Sequence, residues 1–357
     1  MSEMKSAVGA GMDRSGDDLC AGNSVREFKI WADVLNYGKK ILKNAGIVEA
    51  DLDAWYLFEQ SFGISRAQYF LCARENIVGS TAQKIAVQEQ HGDLLESGNA
   101  LECAELWLKE KLSAYENALK KRAARIPLQQ ILGSQEFMGL EFFVNEHVLI
   151  PRQDTETLVE LVLQEQQDPE KKLLDLCTGS GCIAISLAVK GGYRSVTATD
   201  LSEEALKVAE RNAKMHGFAV VSHTETQDAP EQAGHPFIFR QGDLFTAMPQ
   251  SEAGTFDIIT SNPPYIPSQV IEGLEPEVKD HEPRMALDGE PDGLKFYRIL
   301  AEEGKKYLKN GGEIYMEIGW DQAKDVTEIF EAMGFSGLRT VRDMAGNDRV
   351  VCARKEK

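Results

Sequence analysis

The sequence predicts an α/β protein in which a largely parallel sheet of about seven strands follows a small all-α region. Three observations carry this. Between 172 and 216 the chain reads apolar strand, glycine turn, helix, second strand and capped helix, the order of a βαβ unit with a right-handed crossover. Short apolar runs at 237–239, 258–261 and 313–318 then alternate with helical patterns, and runs at 338–343 and 349–354 close the chain. Residues 25–124, by contrast, show only helical spacings.

The chain has 357 residues, 43% hydrophobic and 27% charged, which suits two globular domains with real cores. Its formal net charge of −18 argues against a stable nucleic-acid partner, because such binders carry a basic footprint, and fits a basic protein better. The six cysteines form no CxxC pair, and the six histidines no metal-ligand pattern, so no metal is expected and the thiols read as free in a reducing compartment. Neither a signal peptide nor an apolar run of about 18 residues is found, so the reading is a cytoplasmic protein without a membrane segment. A monomer is expected.

Residues 1–24, rich in Gly, Ser and Asp, read as a disordered lead-in. Residues 25–124 read as a helical domain that recognises a partner. Phe28, Trp31, Leu35, Ile41 and Leu42 mark its first helix. Asp51 is the expected N-cap of a second, and Ser65 of a short third carrying Tyr69, Phe70 and Leu71. Helices are expected over 81–91 and 100–124, the latter burying Leu101, Leu108, Leu112, Tyr115 and Leu119. Residues 125–152 read as a linker with a β-hairpin around 137–140. The α/β domain spans 153–357, and its first helix could be capped by Asp154 or Thr155. A polar insert at 223–235 reads as a surface loop. The acidic stretch 267–291 lacks periodicity and reads as a substrate-binding lid.

The chemistry concentrates in two places. After the run Ile258-Ile259 come Asn262-Pro263-Pro264-Tyr265; the prolines cannot continue a ladder, so Asn262 is delivered to a strand end. The Asn262 side-chain oxygen and the Pro263 carbonyl are adjacent acceptors that can hold both hydrogens of one planar NH2, while Tyr265 offers a ring face. The second place is the turn Thr178-Gly179-Ser180-Gly181 between the first two strands. It lacks the third glycine of a dinucleotide fingerprint, since Ala184 stands there, and no Lys follows to cradle phosphates. Asp200, at the end of the second strand, can accept from both ribose hydroxyls. Asp243 can accept from an adenine amino group and Leu244 can pack on the ring. An adenosine without phosphates fits this set.

The runs Asp175 to Gly181, Asp200, Gly242 to Phe245 and Asn262 to Tyr265 together resemble a class I methyltransferase that uses S-adenosylmethionine. With the runs 45–47, 51–55, 63–66, 127–133, 148–156 and 345–349 they resemble the release factor glutamine methyltransferases, over about 27–75 and 120–354. The resemblance implies a Rossmann-like seven-stranded domain preceded by a small all-α domain and a hairpin linker. It implies methylation at N5 of the glutamine in the Gly-Gly-Gln motif of peptide chain release factors. It implies cofactor contacts from Cys177, Thr178, Gly179, Ser180, Gly181, Asp200, Asp243, Leu244 and Asn262. Asn262, Pro263 and Tyr265 are the implied catalytic residues, and Asn262, Pro263, Pro264 and Tyr265 hold the substrate amide. The chain departs from the family in having Cys177 for the usual Gly and Leu244 where an aromatic can stand, and in longer segments near 76–105 and 223–235.

An amide nitrogen is a weak nucleophile, so catalysis is expected from orientation and electrostatics without a strong base. Glu317, at a strand end, is the one additional acid worth following. Three alternatives compete: a ribosomal-protein glutamine as substrate, N6 of adenine in DNA, and a non-catalytic scaffold that docks release factors. The charge disfavours DNA, and the intact Asn262–Tyr265 set disfavours the scaffold.

Overall fold

The computed structural model describes residues 28–88, 99–222 and 236–356. The expectations for 1–24 and for the 223–235 insert lie outside these residues. The chain divides after Ala123 into two compact units.

In the first unit, α1 (Trp31–Asn44), α2 (Ala50–Phe62), α3 (Arg66–Cys72), α4 (Ile77–Gln88) and α5 (Asn99–Ala123) follow one another. Trp31 anchors its core, edge-on to Phe58 and Phe62 at 5.9 and 5.3 Å, and its indole N–H donates to Ser80 Oγ at 3.0 Å. A buried polar ring must find a partner, and Ser80 supplies it. Tyr115 on α5 reaches the Ala54 carbonyl at 3.2 Å, and Arg122 pairs with buried Asp53 at 2.6 Å.

Several local expectations change here. Asp51 does not cap α2; Glu49 holds that place, and Asp51 sits in the first turn, paired with Lys43 at 2.8 Å. Ser65 does cap α3, with Gln68 returning the bond to the Ser65 N–H at 2.9 Å. Phe70 and Leu71 are both 83% exposed, because a helix of 7 residues turns only one narrow face inward, through Cys72. Leu101 is also exposed, whereas Leu108, Leu112, Tyr115 and Leu119 are buried. α4 begins at Ile77, four positions before the expected 81, because Asn76 Oδ1 accepts from the Val78 and Gly79 N–H groups.

The second unit opens with α6 (Leu128–Leu132) and the hairpin β1 (Ser134–Phe137) and β2 (Leu140–Phe143), paired as the sequence suggested. Next come α7 (Gln153–Glu165), β3 (Lys172–Leu176), α8 (Cys182–Gly191), β4 (Ser195–Asp200), α9 (Glu203–Met215), β5 (Val220–Val221), β6 (Phe237–Gln241) and β7 (Phe256–Ser261). The short α10 (Ser268–Ile271) and α11 (Pro276–Lys279) precede α12 (Lys295–Tyr307), β8 (Leu308–Glu317), α13 (Ala323–Ala332), β9 (Phe335–Arg342) and β10 (Asp348–Lys355). Arg152, not Asp154 or Thr155, is the N-cap residue of α7, so both expected caps fall inside its first turn.

The sheet runs β5-β6-β4-β3-β7-β8-β10-β9, parallel except where β10 opposes its two neighbours. The expected seven strands are present, and two-residue β5 adds an eighth at the edge. Alternation along the strands sorts two cores. Leu173 and Ile258 face one layer with Leu158 and Val162 of α7 and Ile185 of α8. Leu174, Leu176 and Ile259 face the other with Leu300 of α12 and Phe330 of α13. Both faces are covered, as a parallel sheet requires. From the carboxyl end of β3 the chain moves to β4 on one side, and from that of its neighbour β7 it moves to β8 on the other, which makes the crevice between β3 and β7 a topological switch point.

Candidate active site

The four parallel strands β3, β4, β6 and β7 each deliver a site residue at the carboxyl end. After β3, Thr178 N–H donates to the Thr199 carbonyl of β4 at 3.0 Å, which ties the turn to the sheet. Asp175 is fully buried beneath it and accepts from Thr178 Oγ1 at 2.6 Å and from Thr260 Oγ1 of β7 at 2.7 Å. Burial pushes the Asp175 carboxyl up to about 7, while the two hydroxyls pull it down. Ser261 Oγ adds a bond to the Leu176 carbonyl at 3.0 Å. The glycine turn and the Asn262 strand are therefore locked to each other from below.

Gly181, at φ +80°, opens α8; a Cβ there would meet Ile185 Cδ1 at 2.9 Å and Ala209 Cβ at 3.2 Å. Glycine is needed for both conformation and space. Cys177 adopts φ +58° and Leu244 φ +48°, left-handed conformations that side chains rarely accept. At the end of β4, Asp200 Oδ2 accepts from the Gly179 N–H and Oδ1 from the Ser202 N–H, each at 2.9 Å. Burial raises its pKa against these donors, and each oxygen keeps a further lone pair for a hydroxyl.

These residues share one cavity of about 280 Å3 within the second unit. Cys177, Thr178, Gly179, Ser180, Asp200, Asp243, Leu244, Asn262 and Pro264 line it. Gly181, expected to contact the cofactor, is not among the lining residues; its α-carbon faces Ile185 and Ala209 instead. Pro263 and Tyr265 are not among the lining residues; Pro263 is buried, and the Tyr265 hydroxyl points away to Glu317 Oε1 at 3.2 Å. Glu317 itself is 2% exposed and does not line the cavity, so burial raises its pKa without giving it access to a substrate.

The charge of the lining is telling. Asp200, Asp243, Asp288 and Glu290 face Arg152 and His147, so the cavity is acidic. It would repel a phosphate chain and favours a ligand with a cationic centre. Ile183, Leu201 and Leu244 supply an apolar wall beside Asp200 and Asp243. S-adenosylmethionine, a ribose and adenine joined to a sulfonium, matches that donor set and that charge.

The sequence pattern places the stretch 267–291 at the site as a lid, and residues of it from Pro283 to Glu290 do line the cavity, but it gives no sign of the wall formed by residues between 147 and 155 or of Phe296. The stretch 267–291 is not structureless; Pro267 precedes α10 and Pro276 begins α11, and the segment ends against the cavity through Pro283, Met285 and Ala286. Buried Glu282 pins it, accepting from Arg152 at 2.6 Å and from the Ile150 N–H at 3.4 Å. Gln130 Nε2 adds a bond to the His281 carbonyl at 2.9 Å. Thr155, read only as a cap, lines the cavity and accepts from Asn262 Nδ2 at 3.4 Å. Among the described residues no cluster of three or more His, Cys, Asp or Glu could hold a metal ion, and no helix is long and apolar enough to cross a membrane.

A methyltransferase domain model matches residues 167–345, and a PrmC N-terminal domain model matches 33–88. Release factor glutamine methyltransferase of Geobacter sulfurreducens is 42% identical over 245 residues, 69% of this chain and 79% of that protein. The proteins of that name from Thermodesulfovibrio yellowstonii and Caulobacter vibrioides are 38% and 34% identical, over 70% and 88% of this chain and 83% and 92% of their own lengths. Identity at this level over more than two thirds of the chain makes it a member of the release factor glutamine methyltransferase family.

Proposed function

We propose that the protein transfers a methyl group from S-adenosylmethionine to the side-chain amide nitrogen of the glutamine in the Gly-Gly-Gln motif of peptide chain release factors, in the cytoplasm. The observation that carries this reading is the orientation of Asn262. Its NH2 is engaged by Thr155, and its Oδ1, with no hydrogen bond among the described residues, is left to the cavity that Asp200 and the glycine turn also line.

Asp200 would accept from the ribose hydroxyls, Asp243 and Leu244 would hold the adenine, and the turn 177–181 would pass beneath the adenosine. Bound S-adenosylmethionine supplies an electrophilic methyl on a sulfonium. This chain's own contribution is placement. Asn262 Oδ1 would accept a hydrogen of the substrate NH2, fixing the nitrogen and favouring the positive charge that develops on it. Pro263 and Tyr265, which do not line the cavity, would instead fix the conformation of the chain that carries Asn262, Tyr265 through its hydroxyl on Glu317. No base is needed in the cavity, because the methylated amide nitrogen loses its proton readily to water.

The test is Asn262→Ala. Transfer to an unmethylated release factor is expected to fall at least about 100-fold, with S-adenosylmethionine affinity within about threefold of the parent. An unchanged transfer rate would remove Asn262 from the chemistry and this mechanism with it.

A further inference from the structure

Among the described residues the Asn262 side chain makes a single hydrogen bond, to Thr155 at 3.4 Å. Its placement therefore depends on the backbone on either side. On one side Ser261, buried at the end of β7, is bonded to the Leu176 carbonyl at 3.0 Å. On the other, Pro263 and Pro264 have φ fixed by their rings, so a shift of Tyr265 is passed back to Asn262 with little give. Where the Tyr265 peptide lies thus sets where Asn262 lies, and β7 ends before it.

Gln322, buried just before α13, holds that peptide from outside the strand. Its Nε2 donates to the Tyr265 carbonyl at 3.0 Å and to the Gly293 carbonyl at 3.3 Å, and its Oε1 accepts from the Gly319 N–H at 2.9 Å. All three partners are main-chain groups with fixed roles, so the amide has one orientation and uses both of its ends. Glycines let the chain close around it. A Cβ at Gly289 would come within 2.8 Å of Tyr265 Cα and carbonyl carbon. One at Gly293 would overlap the Tyr265 carbonyl oxygen and lie 2.7 Å from Gln322 Nε2. Ile266 continues the seam: its N–H donates to the Leu287 carbonyl at 3.0 Å, and its carbonyl accepts from the Gly289 N–H at 2.8 Å. The segment joined in this way carries Ala286, Asp288 and Glu290 on the cavity wall. One buried amide ties together the loop after β7, this wall segment and the loop after β8.

We propose that Gln322 is a positioning residue of methyl transfer: its amide clips the Tyr265 peptide to Gly293 and Gly319, and through the stiff Pro263-Pro264 link this sets Asn262 in register with the cavity wall at 286–290. The inference deepens the functional reading above and rests on it. Gln322 is not among the residues that line the cavity, so it acts through Tyr265 and not on the substrate.

The experiment compares the full-length parent with Gln322→Glu and Gln322→Met. Glutamate keeps the shape but, when ionised, sets oxygen against two carbonyls; once protonated it can donate to one of them. Methionine keeps the length and loses both polar ends. Methyl transfer from labelled S-adenosylmethionine to an unmethylated release factor gives kcat and KM, and calorimetry gives cofactor affinity. At pH 8 both variants should lose about 10- to 100-fold in kcat, the effect of misplacing a reacting group by about an ångström, with KM and cofactor affinity within about threefold. Relative to the parent at the same pH, the loss in Q322E should shrink several-fold between pH 8 and pH 5.5, because burial raises the pKa of the new carboxyl, and the loss in Q322M should stay constant. An unchanged kcat in either variant, or a loss in Q322E that ignores pH, would overturn the proposal. Hydrogen exchange followed by mass spectrometry does not depend on turnover. In Q322M, exchange should quicken in the segments that carry Ile266 and Gly289 and stay parental in β3 and β4. Quickening throughout would mean a general loss of stability and would overturn the positioning role. Absence of transfer by the parent, with exchange behaving as expected, would instead overturn the functional reading alone. If neither variant at 322 folds, Gly289→Ala, which presses on the same Tyr265 peptide, carries the kcat and exchange comparison.

Discussion

Asp175 makes a prediction whose size follows from its surroundings. It is fully buried beneath the glycine turn, it receives two hydroxyl donors, and burial pushes its carboxyl from an ordinary 3.8 up to about 7. The sign is unusual for an aspartate. Between about pH 4 and pH 7 the folded protein keeps the proton and the unfolded chain does not, so the stability associated with Asp175 is full below pH 4 and is lost as pH rises through 7. The slope reaches about −1.4 kcal/mol per pH unit, and the whole window amounts to at most about 4 kcal/mol. Asp175→Asn has the same shape; its oxygen can accept from one threonine, and the other hydroxyl can turn to accept from the new NH2. The variant removes the titration and keeps the contacts. Urea midpoints of parent and variant, measured at pH 5, 6, 7 and 8 and compared at a common m value, should diverge in favour of Asp175→Asn by about 1 kcal/mol per pH unit up to pH 7 and run parallel above it. Other buried carboxyls, such as Glu282 and Glu317, cancel in the difference. Curves that stay parallel throughout would refute the assignment of an elevated pKa to Asp175.

Two further predictions concern the turn above it. Cys177 at φ +58° costs about 1 kcal/mol that glycine would not, so Cys177→Gly should be neutral to slightly stabilising in thermal unfolding, while branched Cys177→Val should lower the midpoint; the reverse order would contradict a left-handed Cys177. Gly181→Ala would place a methyl 2.9 Å from Ile185 Cδ1 and press α8 against Ala209 of α9. It should cost about 1–3 kcal/mol and weaken S-adenosylmethionine binding by about tenfold, read by calorimetry; unchanged affinity would show that the turn is not part of the cofactor site.

The parts of the site that were legible in the sequence are those with local signals. Asp200, the glycine turn and Asn262 each follow an apolar strand and are marked by a change from apolar to small or polar residues. The parallel pairing of β3 with β4 followed from the βαβ pattern, whereas β5, with only two residues, carried too little pattern to see. The illegible parts are contacts across long stretches of chain. Thr155 and Asn262 are 107 positions apart, and Arg152 and Glu282 130 apart, so no window of sequence reveals either pair. Phe70 and Leu71 failed for a different reason: a short helix has too few turns for periodicity to fix which side faces inward. The segment after Tyr265 hid single-turn helices, which lie below the length that periodicity can detect. Tyr265 itself was recognised from its motif, but its hydroxyl partner Glu317 comes from a different strand.

The central claim is the identity of the methylated atom. The most direct measurement incubates the protein and labelled S-adenosylmethionine with four substrates: an unmethylated release factor, the same factor with its Gly-Gly-Gln glutamine changed to Asn, a ribosomal protein extract, and duplex DNA. Label on the intact release factor alone, located on the glutamine side chain by mass spectrometry, is the predicted result. Label on the Asn variant, on ribosomal protein or on DNA, with none on the intact factor, would contradict it.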